Sequence, residues 1–207
     1  MTDDVPTAFS TRQWSGWSAS LSLTLLRLIL VPALVIMPAM HVARWTFAVV
    51  LTIGFVSDVL DGIVARRFGV ATSFLRRLDS AVDIVFYLGV AYAAWELEPA
   101  GLRAIKWWVV AIISGEAVNH AFAVWKFGKE PSYHAYSAKL WGLLLFLSLL
   151  LLLGAGNTAM LSIAVGAGIL AQAEVFAITV VLPAWRHDVR SVWHALADVS
   201  SGSGKAN

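Results

Sequence analysis

An all-α integral membrane protein, a bundle of about six transmembrane helices with a short N-terminal interfacial arm, is the fold class this sequence predicts, on three observations. Of 207 residues, 59% are hydrophobic and only 14% are charged, more apolar surface than a soluble domain of this size can hide. The apolar residues fall into about six runs, roughly 21–38, 43–64, 78–96, 104–126, 138–153 and 159–184, each near the ~20 residues that a spanning helix needs. The connections are short, which predicts one transmembrane domain over 20–186, between an arm at 1–19 and a flexible cytoplasmic tail at 187–207.

Taken in order, the arm carries Ser10, Thr11, Ser15, Gly16 and Ser18 around Trp14 and Trp17. Tryptophans in a polar segment suit the headgroup layer, with a short disordered tail as the alternative, and the order of a signal peptide is missing. The first run contains Thr24, Arg27 and Pro32. Arg27 lies about two turns inside one end, where an arginine can snorkel to the interface. The second and third runs meet in the stretch DVLDGIVARRFGVATSFLRRLDSAVD, from Asp58 to Asp83. Asp58 and Asp61 are spaced i, i+3 and Asp79 and Asp83 i, i+4, so each pair shares a helix face. An aspartate at the centre of a spanning helix costs roughly 2.5–3.5 kcal/mol, and like charges add repulsion. Two adjacent helices aiming these carboxylates at one point therefore ask for a divalent cation, and hard oxygens suit Mg²⁺ or Mn²⁺. The competing reading is a charged loop in which Arg66, Arg67, Arg76 and Arg77 neutralise the aspartates.

The fourth run places Glu116, Asn119 and His120 on one face, and the sixth contains Glu174. These read as polar glue between helices or as the lining of a substrate cavity. Small residues at Gly89 and Ala93, and at Gly166, Gly168 and Ala171, permit close helix contacts; Trp107, Trp108 and Trp185 mark interfacial belts. Basic residues concentrate in alternate connections, with Arg66, Arg67, Arg76 and Arg77 in one, Lys126, Lys129 and Lys139 in another, and Arg186 and Arg190 after the last run. By the positive-inside rule both termini and the aspartates face the cytoplasm. The net charge of +2 is a matter of topology rather than a nucleic-acid footprint, and the absence of cysteine excludes disulfides, thiolate nucleophiles and Cys-ligated zinc.

The pattern D-x2-D-G-x2-A-R, then eight residues, a glycine, x3-D-x3-D resembles the signature of the CDP-alcohol phosphotransferase family of membrane enzymes. It is carried by Asp58, Asp61, Gly62, Ala65, Arg66, Asp79 and Asp83, and departs at Leu75, where the family has its second glycine. The first run is similar to the family's first helix at Thr24, Arg27 and Pro32, with Ser20 and Leu21 replacing Pro-Asn. The resemblance implies transfer of a substituted phosphate from a CDP-linked lipid donor, usually CDP-diacylglycerol, to a small alcohol, with release of CMP, in phospholipid biosynthesis. Asp58, Asp61, Asp79 and Asp83 would hold two Mg²⁺ or Mn²⁺ ions, with Asp83 also the catalytic base on the acceptor hydroxyl. Thr24, Gly62, Arg66 and Thr72 would lie along the donor. Lys139 and His134 would meet an acceptor phosphate unless they are an anchor and a loop residue, and Arg27 would neutralise a phosphate unless it snorkels. A homodimer in the cytoplasmic (inner) membrane is implied too. Phosphoryl transfer depends mostly on positioning and charge neutralisation, which two cations on a diphosphate supply.

Three other readings compete. A membrane prenyltransferase also grips a diphosphate with Asp-rich helices, but needs about nine spans. A divalent-cation transporter would place its carboxylates near the midplane. A non-catalytic or altered-donor relative is suggested by Leu75 and the missing Pro-Asn.

Overall fold

The computed structural model describes the backbone of residues 11–200 except 71, 132 and 134, and their side chains except those of 73, 76 and 198. Seven helices and no strand occur among the described residues: α1 (Thr11–Ile36), α2 (Arg44–Phe68), α3 (Ser73–Leu97), α4 (Pro99–Phe127), α5 (Tyr136–Ala155), α6 (Leu161–Val181) and α7 (Val192–Ser200). The first six are long and apolar enough to cross a membrane, and the protein is an all-α integral membrane protein.

The helices fall into two compact units. The first comprises the chain through Pro99, with Leu150–Gly156 from the end of α5. Here α1 packs on both α2 and α3, and Leu34, Phe47, Leu51, Phe86, Val90 and Ala93 are buried between them. Gly54 of α2 lies against the Phe86 ring, which an added Cβ would strike. The fold therefore holds α2 and α3 together by a missing side chain. Gly54→Ala is expected to lower the melting temperature by an amount matching the about 1–3 kcal/mol of an overpacked core. Gly89→Ala is the control: its Cβ would meet Val31 and Leu34 at 3.5 Å, an ordinary contact, and alanine is the better helix former. Equal melting temperatures for the two variants would refute the packing argument.

At the far end of this unit Arg44 pairs with Glu98 at 2.6 Å and donates to the carbonyls of Leu97 and Leu152 at 3.2 and 3.3 Å. The Leu152 carbonyl also accepts from the Gly156 N–H at 2.9 Å, so one guanidinium ties the last turns of α3 and α5 to the start of α2.

Residues 11–19, expected as an interfacial arm, are the first turns of α1. Their serines do not break the helix because Ser15 and Ser18 bond back to the carbonyls of Arg12 and Ser15, and Ser22 to that of Ser18. Gly16 makes room for the Phe68 side chain, and the Arg12 guanidinium lies 5.7 Å from that ring's centroid. At 26 residues, α1 is about 39 Å long, longer than the ~30 Å hydrocarbon layer. Residues 1–10 of the expected arm lie outside the described residues.

The second unit comprises Ala100–Leu149 and Asn157–Asn207. Asn119 donates to the Gln172 side chain at 2.5 Å and to its carbonyl at 3.1 Å, and Gln172 donates to Glu116 at 2.6 Å. Glu116 and Asn119 are thus the glue between α4 and α6. Lys126 donates to the carbonyls of Thr179 and Val180 at 2.9 and 2.8 Å, completing the orphan acceptors at the end of α6. Gly168 lies under Trp141 and Ile112, whereas Gly166 has open space around it.

The expected flexible tail contains α7. Glu174 accepts from the Val192 N–H at 3.2 Å, capping α7 from within α6, and Ile178, Leu182, Val189 and Ala195 bury one another with Ala135. One side of α7, Val192 and Ala195, packs back on the protein, which a nine-residue helix needs because it is marginal alone. Residues 201–207 lie outside the described residues.

Candidate active site

The site stands on α1, α2 and α3 of the first unit. Helix α2 delivers Asp58 and Asp61, then stops at Gly69, whose φ of 65° admits the left-handed cap. Gly69 N–H bonds to the Arg66 carbonyl at 3.3 Å and Val70 N–H to that of Ala65 at 3.0 Å, the paired bonds of a Schellman stop. Thr72 opens α3 by accepting from the Leu75 N–H at 3.2 Å. These two caps set the start of α3, so that Asp79 and Asp83 arrive beside Asp58 and Asp61.

All four aspartates converge on one side chain, Arg27 of α1. Its Nη1 pairs with Asp58 at 3.2 Å and with Asp83, and its Nη2 with Asp61 at 3.0 Å and Asp79 at 2.5 Å. The arginine is 1% exposed, so it does not snorkel. Its Nε is buried without a partner, an omission that typically costs about 1–3 kcal/mol. Four carboxylates outnumber this guanidinium by three.

The carboxylates differ in environment. Asp61 is buried, and both its oxygens are engaged by α1: Ser20 donates to Oδ1, and Thr24 donates to Oδ2 at 2.8 Å. Asp58, Asp79 and Asp83 are half-buried, and one oxygen from each lies within 4.8 Å of the others, a set that could hold a metal ion. Hard oxygens gathered around a positive group fit Mg²⁺ or Mn²⁺, with the guanidinium standing where a cation would.

A cavity of about 280 Å³ adjoins the cluster, lined by Ser20, Asp61, Gly62, Ala65, Arg66, Leu75 and Asp79. Gly62 and Arg66 therefore share a cavity with two aspartates, while Thr72 spends its hydroxyl on the helix cap and Thr24 turns to Asp61. Leu75 is 3% exposed and fills part of the wall. Of the four loop arginines that competed with the cation reading, Arg66, Arg67 and Arg77 are exposed and the Arg76 side chain lies outside the described residues; the arginine that pairs with all four aspartates is Arg27, from a different helix. Lys139 belongs to the second unit, exposed, with its ammonium 5.8 Å from the centroid of the Tyr136 ring. His134 lies outside the described residues. Of the remaining polar groups, His120 approaches Glu130 at 3.4 Å and Glu174 is the α7 cap.

Ser20 escaped the sequence reading because it stands where a proline was expected. The signal was present: Ser20, Thr24 and Arg27 recur at i, i+4 and i+7, a polar stripe on one face of the helix.

A family model described as CDP-alcohol phosphatidyltransferase matches residues 17–187, a segment that holds every residue of this cluster. No curated protein and no solved structure matches the chain.

Proposed function

The chain belongs to the CDP-alcohol phosphatidyltransferase family, and from that premise we propose that it moves a phosphatidyl group from CDP-diacylglycerol to a small alcohol, releasing CMP. The observation that carries this reading is the convergence of Asp58, Asp61, Asp79 and Asp83 on a single cation position beside a cavity that Gly62 and Arg66 also line.

In this reading Asp58, Asp61, Asp79 and Asp83 hold two Mg²⁺ or Mn²⁺ ions. When bound, these ions neutralise the diphosphate and acidify the acceptor hydroxyl. Asp83 accepts the proton of that hydroxyl. Gly62 lines the cavity beside the Arg66 guanidinium, where an added Cβ would stand 3.2 Å from Nη1, and Arg66 supplies positive charge to the phosphates. Ser20 and Thr24 orient Asp61. The basic residues near this end of α2 and α3 support a site that faces the cytoplasm together with both termini, and the functional form is a homodimer, as the family resemblance implies. Lys139 serves the acceptor phosphate.

The test is direct. Purified protein is given CDP-diacylglycerol, Mg²⁺ or Mn²⁺, and a panel of acceptors including glycerol 3-phosphate, inositol phosphate and serine, and CMP release is followed. Metal-dependent CMP release that requires one acceptor supports the reading; none with any acceptor or ion refutes it.

An altered donor is the second reading, favoured by the buried Leu75 in the cavity wall. Its side chain occupies space that a glycine would leave to the nucleotide. Leu75→Gly is expected to change cytidine nucleotide affinity or donor preference, at a stability cost of about 2–5 kcal/mol for the lost packing. Calorimetric titration with CMP and CDP decides, and unchanged affinity together with unchanged donor preference would show that Leu75 does not shape the nucleotide site.

A further inference from the structure

We propose that Arg27 is an exchangeable counter-ion: its guanidinium holds the cation position among the aspartates until a divalent ion arrives, and must leave for that ion to bind. The proposal rests on the metal-site part of the function proposed above and adds a role for α1 that the transfer reaction does not require.

The geometry makes the two cations exclusive. The three carboxylates that could hold a metal, Asp58, Asp79 and Asp83, are each paired with an Arg27 Nη atom. Mg²⁺ needs oxygens at about 2.0–2.1 Å in near-octahedral array. Such an ion would take the oxygens on which the guanidinium now rests and would repel it at close range. One positive group has to give way.

Arg27 is suited to doing so. Its seat is imperfect, because Nε is buried with no acceptor while the guanidinium carries five donors in a rigid fork. Its side chain is long and flexible, so the head can withdraw without moving α1. Nη2 touches Asp61 and Asp79, and both carboxylates also line the 280 Å³ cavity, so open space adjoins the guanidinium. By contrast Asp61 is anchored by Ser20 and Thr24, so this one carboxylate keeps its place when the guanidinium goes. Two consequences follow. Arg27 lets the four aspartates sit together in the metal-free protein. It also lowers apparent metal affinity in proportion to the fraction of molecules in which it occupies the site.

The experiment measures Mn²⁺ binding to the full chain in detergent, without any CDP donor, by paramagnetic resonance of free Mn²⁺ and by thermal melting in EDTA and in Mn²⁺. Arg27→Met keeps the aliphatic bulk and drops the charge. It is expected to bind Mn²⁺ at least about tenfold more tightly than the wild type, the gain for an arginine that vacates the site less than a tenth of the time. It is also expected to melt lower in EDTA and to gain more from Mn²⁺. Arg27→Lys keeps the charge with a weaker grip and should fall between the two in Mn²⁺ affinity. Mn²⁺ affinity in Arg27→Met equal to or weaker than wild type overturns the proposal. If Arg27→Met does not fold even when prepared in Mn²⁺, Arg27→Lys decides alone, and no tightening there overturns it. The outcomes separate from those of the transfer assay: wild type that releases CMP while Arg27→Met shows no tightening defeats only this proposal. Tightened Mn²⁺ binding in a protein inert toward every donor and acceptor defeats only the transferase reading.

Discussion

Asp83→Asn is expected to cut turnover by about 10²–10⁴-fold, the usual worth of general-base assistance, while leaving affinity for the CDP-linked donor largely intact. Asparagine keeps the shape and loses the basic oxygen. Asp83 is one turn beyond Asp79 on the same face of α3, and it shares the guanidinium's Nη1 with Asp58. The two residues differ in position along the site rather than in chemistry, which makes Asp58→Asn the informative partner. If Asp58 serves only to hold metal, its variant loses donor affinity and turnover together. The measurement is donor affinity against turnover in both variants. Retained turnover in Asp83→Asn removes the base assignment, and indistinguishable variants reduce Asp83 to a ligand.

The second large effect is expected at Asp61. Asp61→Asn should abolish transfer and weaken Mn²⁺ binding by at least about 10–100-fold, the range for groups that orient a metal's ligands. Ser20→Ala separates holding from orienting. It leaves the carboxylate in place but frees the oxygen that Ser20 now engages, so Mn²⁺ affinity should fall less than in Asp61→Asn while the melting temperature stays near wild type. Unchanged Mn²⁺ affinity in Asp61→Asn would exclude this residue from the metal site, in agreement with an Asp61 whose oxygens serve only α1.

What could be read from residues alone follows from which interactions are local. Same-face spacing of Asp58 with Asp61, and of Asp79 with Asp83, depends only on helical periodicity, so the carboxylate pairs were legible. The caps at Gly69 and Thr72 are equally local. Arg27 was not: whether it snorkels or turns inward depends on how α1 is rotated against α2 and α3, and partners 31 to 56 residues away leave no trace in spacing. Glu174 does join two helices, as expected, but which helix it reaches could not be read, for a related reason. Its partner, the Val192 N–H, becomes available only because the chain reverses after α6, and a backbone donor has no residue type to betray it. Ser20 lay in plain view on the stripe with Thr24 and Arg27, hidden by comparison with a proline.

The docking of α7 has a practical consequence for handling the protein. A reporter fused in place of α7, for instance after Arg190, would strip Glu174 of the N–H it accepts from and remove Ala195 and Val192 from the apolar cluster around Ile178 and Leu182. Molecules built that way would tend to stick to one another through the bared patch, and a weak fluorescence or low yield would then be misread as poor membrane insertion. Attachment beyond Ser200 keeps the lock closed, so the choice of junction decides whether an expression screen reports on the enzyme or on its damaged edge.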